Sequence, residues 1–267
     1  SAVFAVAAVL LAVALLCAFR VGSEVNEASR IATETASIDD LEQRGVVAAA
    51  VSTLSADLRA ALRYIAADRR LLTVIGMVGV HCSLTMAFDS MLPALSDKAG
   101  GSEGLYGSIL IALGGGALVG TLGVSQIHKA STRAVSFVAT GIVSGLAIVL
   151  LGMATSRNLV LPAAVLAGLS QAGYMALSAT LVQGVVADKF RGRVMSFYIL
   201  IAAGHMAILN LGFGQVAEVI DVRVLLVVPG LLWVALFLGF VLTLPEARSM
   251  AFRGQFTHEE QLESDVN

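Results

Sequence analysis

Seven apolar segments, each long enough to cross a lipid bilayer, alternate with polar connections along this chain of 267 residues. Each segment holds 18 to 24 residues and contains no Lys or Arg. A helix of about 20 residues crosses a hydrocarbon core roughly 30 Å thick. The pattern therefore predicts seven transmembrane spans, numbered here from one to seven: Ala2–Phe19, Leu71–Phe88, Leu105–Val124, Ala134–Met153, Val160–Gln183, Met195–Val216 and Val224–Leu244.

A polar stretch of about fifty residues separates span one from the other six. Residues 21–45 are rich in Glu and Asp, which predicts a flexible linker. Residues 46–68 carry apolar side chains at spacings of three and four, which predicts an amphipathic helix on the membrane surface. The apolar positions are Val51, Leu54, Leu58, Leu62 and Ile65.

The distribution of basic residues predicts how the spans are oriented. Fourteen of the 17 Lys and Arg residues fall on the face that holds the long polar stretch and the C-terminus. Basic loops stay on the cytoplasmic side of a membrane. We therefore expect this face in the cytoplasm, and the chain in the inner or plasma membrane of its cell. A hydrophobic content of 57%, a charged content of 13% and a mean hydropathy of +0.87 exclude an ordinary soluble domain.

The connection between spans five and six reads Ala187-Asp188-Lys189-Phe190-Arg191-Gly192-Arg193-Val194. This loop, together with the order of the spans, resembles the major facilitator superfamily of transporters from the sixth helix onward. The resemblance implies a cytoplasmic gate formed by Asp188, Arg191, Gly192 and Arg193. We refer to these four positions as the gate residues.

The same resemblance implies an all-α membrane protein: the six-helix C-terminal half-bundle of a twelve-helix transporter, with the preceding helix and the central cytoplasmic loop. Residues 1–20 would be the last helix of a truncated N-terminal half, and residues 21–70 the central loop with its amphipathic helix. Residues 71–244 would be the six-helix half, and residues 245–267 a cytoplasmic tail. The missing N-terminal half of the same polypeptide is then an expected partner.

Glycines are concentrated in span three, where the run Gly114-Gly115-Gly116-Ala117-Leu118-Val119-Gly120 includes a Gly-x-x-x-Gly pair. Absent Cβ atoms allow two helix backbones to approach closely, so packing is the favoured interpretation. The run also resembles the eighth helix of the superfamily, and residues 214–218 resemble the exit of its eleventh. Together they point to the efflux branch with enterobactin-exporter-like and macrolide-exporter-like proteins.

Ionisable groups inside the spans are candidates for proton coupling, because burying a charge in a membrane is costly. His81 and Asp89 are two turns apart on one face of span two, with Thr85 between them. A histidine, or a carboxylate with its pKa raised by burial, can change charge near ambient pH. The alternatives are a hydrogen-bonded packing histidine and an interfacial carboxylate.

Polar side chains on spans five and six are candidates for a substrate cavity. Gln171, Tyr174 and Ser178 form one stripe on span five. Tyr198, His205 and Asn210 lie on span six. They could hydrogen-bond a small-molecule substrate, or they could bond neighbouring helices within the bundle.

These observations favour a secondary transporter, most simply a proton-coupled exporter of a small molecule, over an enzyme. Its expected partners are membrane lipid, a substrate and a coupling proton, with no cofactor, metal or nucleic acid. The enzymatic alternative is an intramembrane serine protease with Ser170 as nucleophile and His205 as base. A retinal protein is excluded, because all three lysines fall in the predicted loops.

Overall fold

The computed structural model describes residues 59–101 and 104–253, with side chains to residue 251. These residues belong to one compact unit, Ala56–Asn267. Span one, the linker, the first part of the amphipathic helix and the end of the tail lie outside the described residues, so the predictions for them remain predictions.

Six helices of the described part are long and apolar enough to cross a membrane, and no β-strand occurs in that part. This confirms an all-α membrane protein. A helical stretch over residues 59–67 comes first. The helices that follow are α1 (Arg69–His81), α2 (Leu92–Lys98), α3 (Leu105–Ser125), α4 (Ala130–Met153), α5 (Arg157–Val185), α6 (Asp188–Val216), α7 (Val222–Thr243) and α8 (Pro245–Arg253).

Span two is longer than its hydrophobic pattern indicates, and it is broken in the middle. The Asp68 carboxylate caps the start of α1 by accepting the Arg70 backbone N–H at 2.8 Å. A π-helical turn, Cys82–Met86, and a 3₁₀ turn, Asp89–Met91, then separate α1 from α2. The whole span runs over Arg69–Lys98. Asp89 therefore lies inside the span, although the apolar run in the sequence stops just before it.

Glycines bring α3 and α5 into backbone contact. A Cβ atom at Gly116 would overlap the Val165 carbonyl, and one at Gly120 would overlap the Leu169 carbonyl. Across the same interface, a Cβ atom at Gly168 would overlap the Leu113 carbonyl. The glycine-rich run of span three therefore serves close helix packing, as predicted.

An aromatic cluster connects α4, α5 and α7 at the centre of the bundle. Trp233 and Phe237 of α7 pack against Tyr174 of α5 and Phe137 of α4, with ring centroids 5.2 to 6.0 Å apart. All four side chains are buried. Gly141 of α4 leaves room for the Phe237 ring, which a Cβ atom there would overlap.

Two contacts show which ends of the helices lie on the same face of the bundle. Tyr64, ahead of α1, stacks on Phe190 at the start of α6, with ring centroids 4.5 Å apart. Lys98, at the end of α2, forms a salt bridge with Asp221 between α6 and α7. Both pairings agree with helices that alternate in direction across a membrane. We call the end with Tyr64 the basic face.

The first part of the C-terminal tail packs into the bundle as α8. Ala247 and Met250 are buried in the same apolar cluster as Ile65 and Val186. A helix of nine residues therefore packs against the bundle on the basic face, which the polar composition of the tail did not indicate.

Candidate transport cavity

A cavity of about 680 Å³ opens between the break in span two and helices α3, α5 and α6. Broken helices suit such a position, because backbone groups freed from helical bonding are tolerated in a membrane where they face a cavity or protein. Its lining residues are Met86, Phe88, Asp89, Leu113, Gly114, Ala117, Thr121, Gly168, Gln171, Ala172, Met175, Ala176 and Met206.

Three polar side chains stand on this largely apolar wall: Asp89, Thr121 and Gln171. Gln171 is nearly buried, and its Nε2 donates a hydrogen bond of 2.7 Å to the backbone carbonyl of Thr85. Thr85 is in the π-helical turn, so an amide from α5 satisfies a carbonyl at the break. Asp89 is exposed and contributes the one carboxylate of the lining.

Asn210 of α6 holds the break in span two in place through hydrogen bonds to Ser90. Its Oδ1 accepts the Ser90 backbone N–H at 3.2 Å, and its backbone carbonyl accepts the Ser90 hydroxyl at 2.8 Å. Asn210 is not part of the cavity lining. It instead positions the turn that carries Asp89.

Three methionines, which were not among the predicted site residues, complete the wall. Met86 comes from the break, Met175 from α5 and Met206 from α6. Methionine is flexible and polarisable, which suits a surface that accommodates different apolar shapes. No spacing rule could have grouped them, because they come from three separate elements.

The remaining residues of the predicted stripe lie in the packed interior. Tyr174 and Ser178 are fully buried, and neither lines this cavity. Ser178 Oγ donates to the Tyr174 carbonyl at 2.6 Å and lies 3.3 Å from the Tyr198 hydroxyl. Tyr198 also donates to the Met175 carbonyl at 3.2 Å. Their bonds are intrahelical or between α5 and α6, so of the stripe only Gln171 reaches the cavity.

His81 is enclosed by the aromatic cluster. Its side chain is fully buried, and its ring centroid lies 4.3 Å from that of Tyr174 and 4.9 Å from that of Trp233. Its Nε2 lies 3.1 Å from Ser144 Oγ, while its Nδ1 has no hydrogen-bond partner among the described residues. His81 does not line the cavity.

Ser170 and His205 do not form a catalytic pair. Ser170 is buried, and its hydroxyl donates to the Leu166 carbonyl at 2.7 Å within its own helix. His205 is exposed, and its Nδ1 lies 2.8 Å from the Ile201 carbonyl. No hydrogen bond between these two side chains occurs in the described part, so the geometry gives the protease alternative no support.

The gate residues are helical, contrary to the loop expected from the sequence. Only Val186 and Ala187 separate α5 from α6, and Asp188 opens α6. An acidic residue in the first turn favours this start, because it complements the helix dipole. Asp188 and Arg191 form an exposed salt bridge of 2.6 Å one turn apart.

The gate residues also lie beside the residues ahead of α1. The Ala187 backbone N–H donates to the Tyr64 hydroxyl at 3.2 Å, next to the stacked Tyr64 and Phe190 rings. Gly192 faces open space on the same end of α6. The helical stretch over residues 59–67 and the start of α6 therefore contact each other on the basic face.

No group of three or more metal-ligating side chains occurs among the described residues.

The model of a protein family described as transmembrane secretion effector, within the major facilitator superfamily, matches residues 4–267. Comparison with curated proteins and with solved structures gave no match.

Proposed function

Since the chain belongs to the transmembrane secretion effector family of major facilitator superfamily transporters, we propose that it is the C-terminal half of a proton-coupled exporter of small molecules. The family is described as one of secretion effectors, which supports transport out of the cell. The cavity between the break and helices α3, α5 and α6 is the observation that carries the proposal.

The half-transporter proposal is supported by the apolar surface of two helices that border the cavity, α3 and α6. Leu118 and Leu122 of α3 are 62% and 57% exposed, and Ile208 and Leu211 of α6 are 73% and 72% exposed. Apolar surface of this extent is covered in a membrane protein by lipid or by other helices. A second half-bundle would cover part of it and close the cavity from the other side.

Asp89 is the proposed site of the coupling proton. It lines the cavity, whereas His81 is sealed inside the aromatic cluster and has no access to it. A carboxylate in a membrane cavity is stabilised by a bound proton or by a positively charged ligand. Proton and substrate can therefore compete for Asp89, which is the exchange that an antiporter requires.

The proposed cargo is an apolar or amphiphilic molecule, and a positive charge would favour it. The wall is mainly Met, Phe, Leu and Ala, with a single carboxylate and no basic side chain. Apolar groups of the cargo would contact the three methionines, and the Asp89 carboxylate would attract its charge.

The basic face is proposed to be cytoplasmic, with the gate residues and the C-terminus on that side. On that face, Asp188 and Arg191 form a salt bridge. The stacked Tyr64 and Phe190 rings connect the stretch ahead of α1 to the start of α6. Such contacts hold one conformation of a transporter closed when they form and release it when they break.

Transport by the full-length protein in proteoliposomes tests the proposal, with the fluorescent organic cation ethidium as the probe. Vesicles with an acidic lumen should accumulate ethidium through the inside-out fraction of the protein, and a protonophore should abolish the accumulation. Accumulation that survives the protonophore would refute proton coupling. Absence of gradient-driven transport for ethidium and for a panel of neutral amphiphiles would refute the exporter assignment.

A further inference from the structure

A second groove, which shares no lining residue with the transport cavity, has no role in the function proposed above. Its volume is about 550 Å³. It lies between the helical stretch over residues 59–67 and helices α1, α6 and α7. Its lining includes Leu62, Ala66, Leu72, Gly76, Ser83 and His205.

The groove is almost entirely apolar. Only Ser83 and His205 carry polar side-chain atoms, and each is bonded within its own helix: the Ser83 hydroxyl to the Gly79 carbonyl at 2.7 Å, and His205 Nδ1 to the Ile201 carbonyl at 2.8 Å. Leu62 and Leu72, at the end near the basic face, are 43% and 53% exposed. The groove thus offers an occupant contact area without polar partners, which suits a hydrocarbon chain.

Two arginines share a helix face with lining residues of this groove, near the start of the membrane span. Arg59 precedes Leu62 by three residues and Ala66 by seven, which places it on the groove side of its helix. Arg69 precedes Leu72 and Gly76 by the same intervals at the first residue of the span. Both arginines are exposed, and neither has an ion-pair partner within the described ranges.

We propose that this groove binds one anionic phospholipid, with an acyl chain against Leu72 and Gly76 and the phosphate between Arg59 and Arg69. The charge of the two arginines selects an anionic headgroup over a zwitterionic one, because basic residues next to a membrane span attract anionic lipid. The lipid would connect the helical stretch over residues 59–67 to α1. Lipid binding in this groove does not depend on the cargo or on proton coupling.

Spin-labelled lipids in nanodiscs of phosphatidylcholine test the proposal with the full chain. The association constant of labelled phosphatidylglycerol relative to labelled phosphatidylcholine is measured for the wild type and for the double variant Arg59→Gln, Arg69→Gln. The preference for phosphatidylglycerol should fall about fivefold for each arginine removed. The control is Lys129→Gln, Arg248→Gln, which removes two exposed charges that are not in the groove lining and should lower the preference much less.

A second pair of variants tests the acyl-chain part of the site. Gly76→Leu fills the groove, because a Cβ atom there has no neighbour within 4 Å. Gly239→Leu is the matched control on α7, with equally open space outside the groove. The phosphatidylglycerol preference should be lost in Gly76→Leu and kept in Gly239→Leu.

Three results would overturn the proposal: no preference in the wild type, equal losses in the arginine and control pairs, or an unchanged preference in Gly76→Leu. A wild-type dimer that Gly76→Leu converts to a monomer would assign the groove to a second copy of the chain instead.

Discussion

The Nε2 atom of His81 lies 3.1 Å from the hydroxyl oxygen of Ser144, and both side chains are completely buried. Trp233 completes the arrangement, since its Nε1 donates to the Gly141 carbonyl at 2.7 Å and lies 3.2 Å from the same Ser144 oxygen. Residues from α1, α4 and α7 thus meet at one hydroxyl. The arrangement is a buried hydrogen-bonded core, and it gives His81 a part in packing the bundle.

Replacement of His81 by Ala should therefore destabilise the protein. The variant leaves a cavity beside Tyr174 and Trp233, and we expect a loss of about 2–4 kcal/mol in the free energy of unfolding. Titration with SDS in mixed micelles measures it. His205→Ala is the matched control, because His205 is exposed, and it should change stability by less than about 0.5 kcal/mol. Equal stability of the two variants would contradict the packing role.

The backbone contact between α3 and α5 predicts a position-specific effect of added methyl groups. Gly116→Ala places a Cβ atom against the Val165 carbonyl, so the helices must separate, at a cost of about 1–3 kcal/mol. Gly115→Ala, one residue away, meets no atom within 4 Å and should be close to neutral. The same unfolding measurement compares the two. A neutral Gly116→Ala would show that α3 and α5 do not pack as described.

Much of this fold could be predicted from the sequence, because its determinants are local. Consecutive residues are enough to show the length of each span, the absence of basic residues in the predicted spans and the glycine run. The break in span two could not be predicted, since the Thr85 carbonyl is satisfied by Gln171, 86 residues later. The helical start of α6 was missed because charged residues in a short connection resemble a loop.

The candidate site was only partly predictable for the same reason. Asp89 and Gln171 stand out as polar residues in apolar spans, and both reach the cavity. Tyr174 and Ser178 share a helical stripe with Gln171, yet they lie nearer the aromatic cluster and the α5–α6 contact. A stripe on one helix does not reveal which neighbour covers each of its turns.

The salt bridge between Lys98 and Asp221 predicts a pH dependence of stability. The hydrogen bond from Lys98, followed by that from the Arg223 backbone N–H, lowers the pKa of Asp221 below its ordinary value. A lowered carboxyl pKa means that the bridge stabilises the protein above the unfolded pKa of about 4, and that this contribution is lost as pH falls through the lower folded pKa.

Asp221→Asn should therefore be less stable than the wild type at pH 7, and the difference should disappear in acid. The effect is small, because both side chains are exposed. Thermal midpoints in detergent from pH 7 to pH 3 measure it, with Glu218→Gln on the same connection as the control. A difference that grows as pH falls would have the wrong sign for this account.

The gate residues should affect transport without affecting stability. The Asp188–Arg191 salt bridge is exposed, so Arg191→Ala should change the free energy of unfolding by no more than about 1 kcal/mol. Its ethidium transport should be slower, because the contact is proposed to stabilise one state of the cycle. Lys129→Ala is the control, an exposed basic residue that is not in contact with the start of α6 in the described structure. Normal transport rates in Arg191→Ala would remove Arg191 from the gate.

The central claim is that Asp89 carries the coupling proton in a cavity shared with the cargo. Asp89→Asn keeps the shape of the side chain and removes its charge, while Asp97→Asn does the same at an exposed acidic residue outside the cavity. Ethidium transport by the full-length protein in proteoliposomes is compared with and without an imposed pH gradient.

The account predicts that Asp89→Asn loses gradient-driven ethidium accumulation to the level of protein-free vesicles, while Asp97→Asn behaves as the wild type. Protein-mediated exchange of ethidium without a pH gradient should persist in Asp89→Asn. Such exchange would show that the cavity is intact. Gradient-driven accumulation in Asp89→Asn with the pH profile of the wild type would contradict the account.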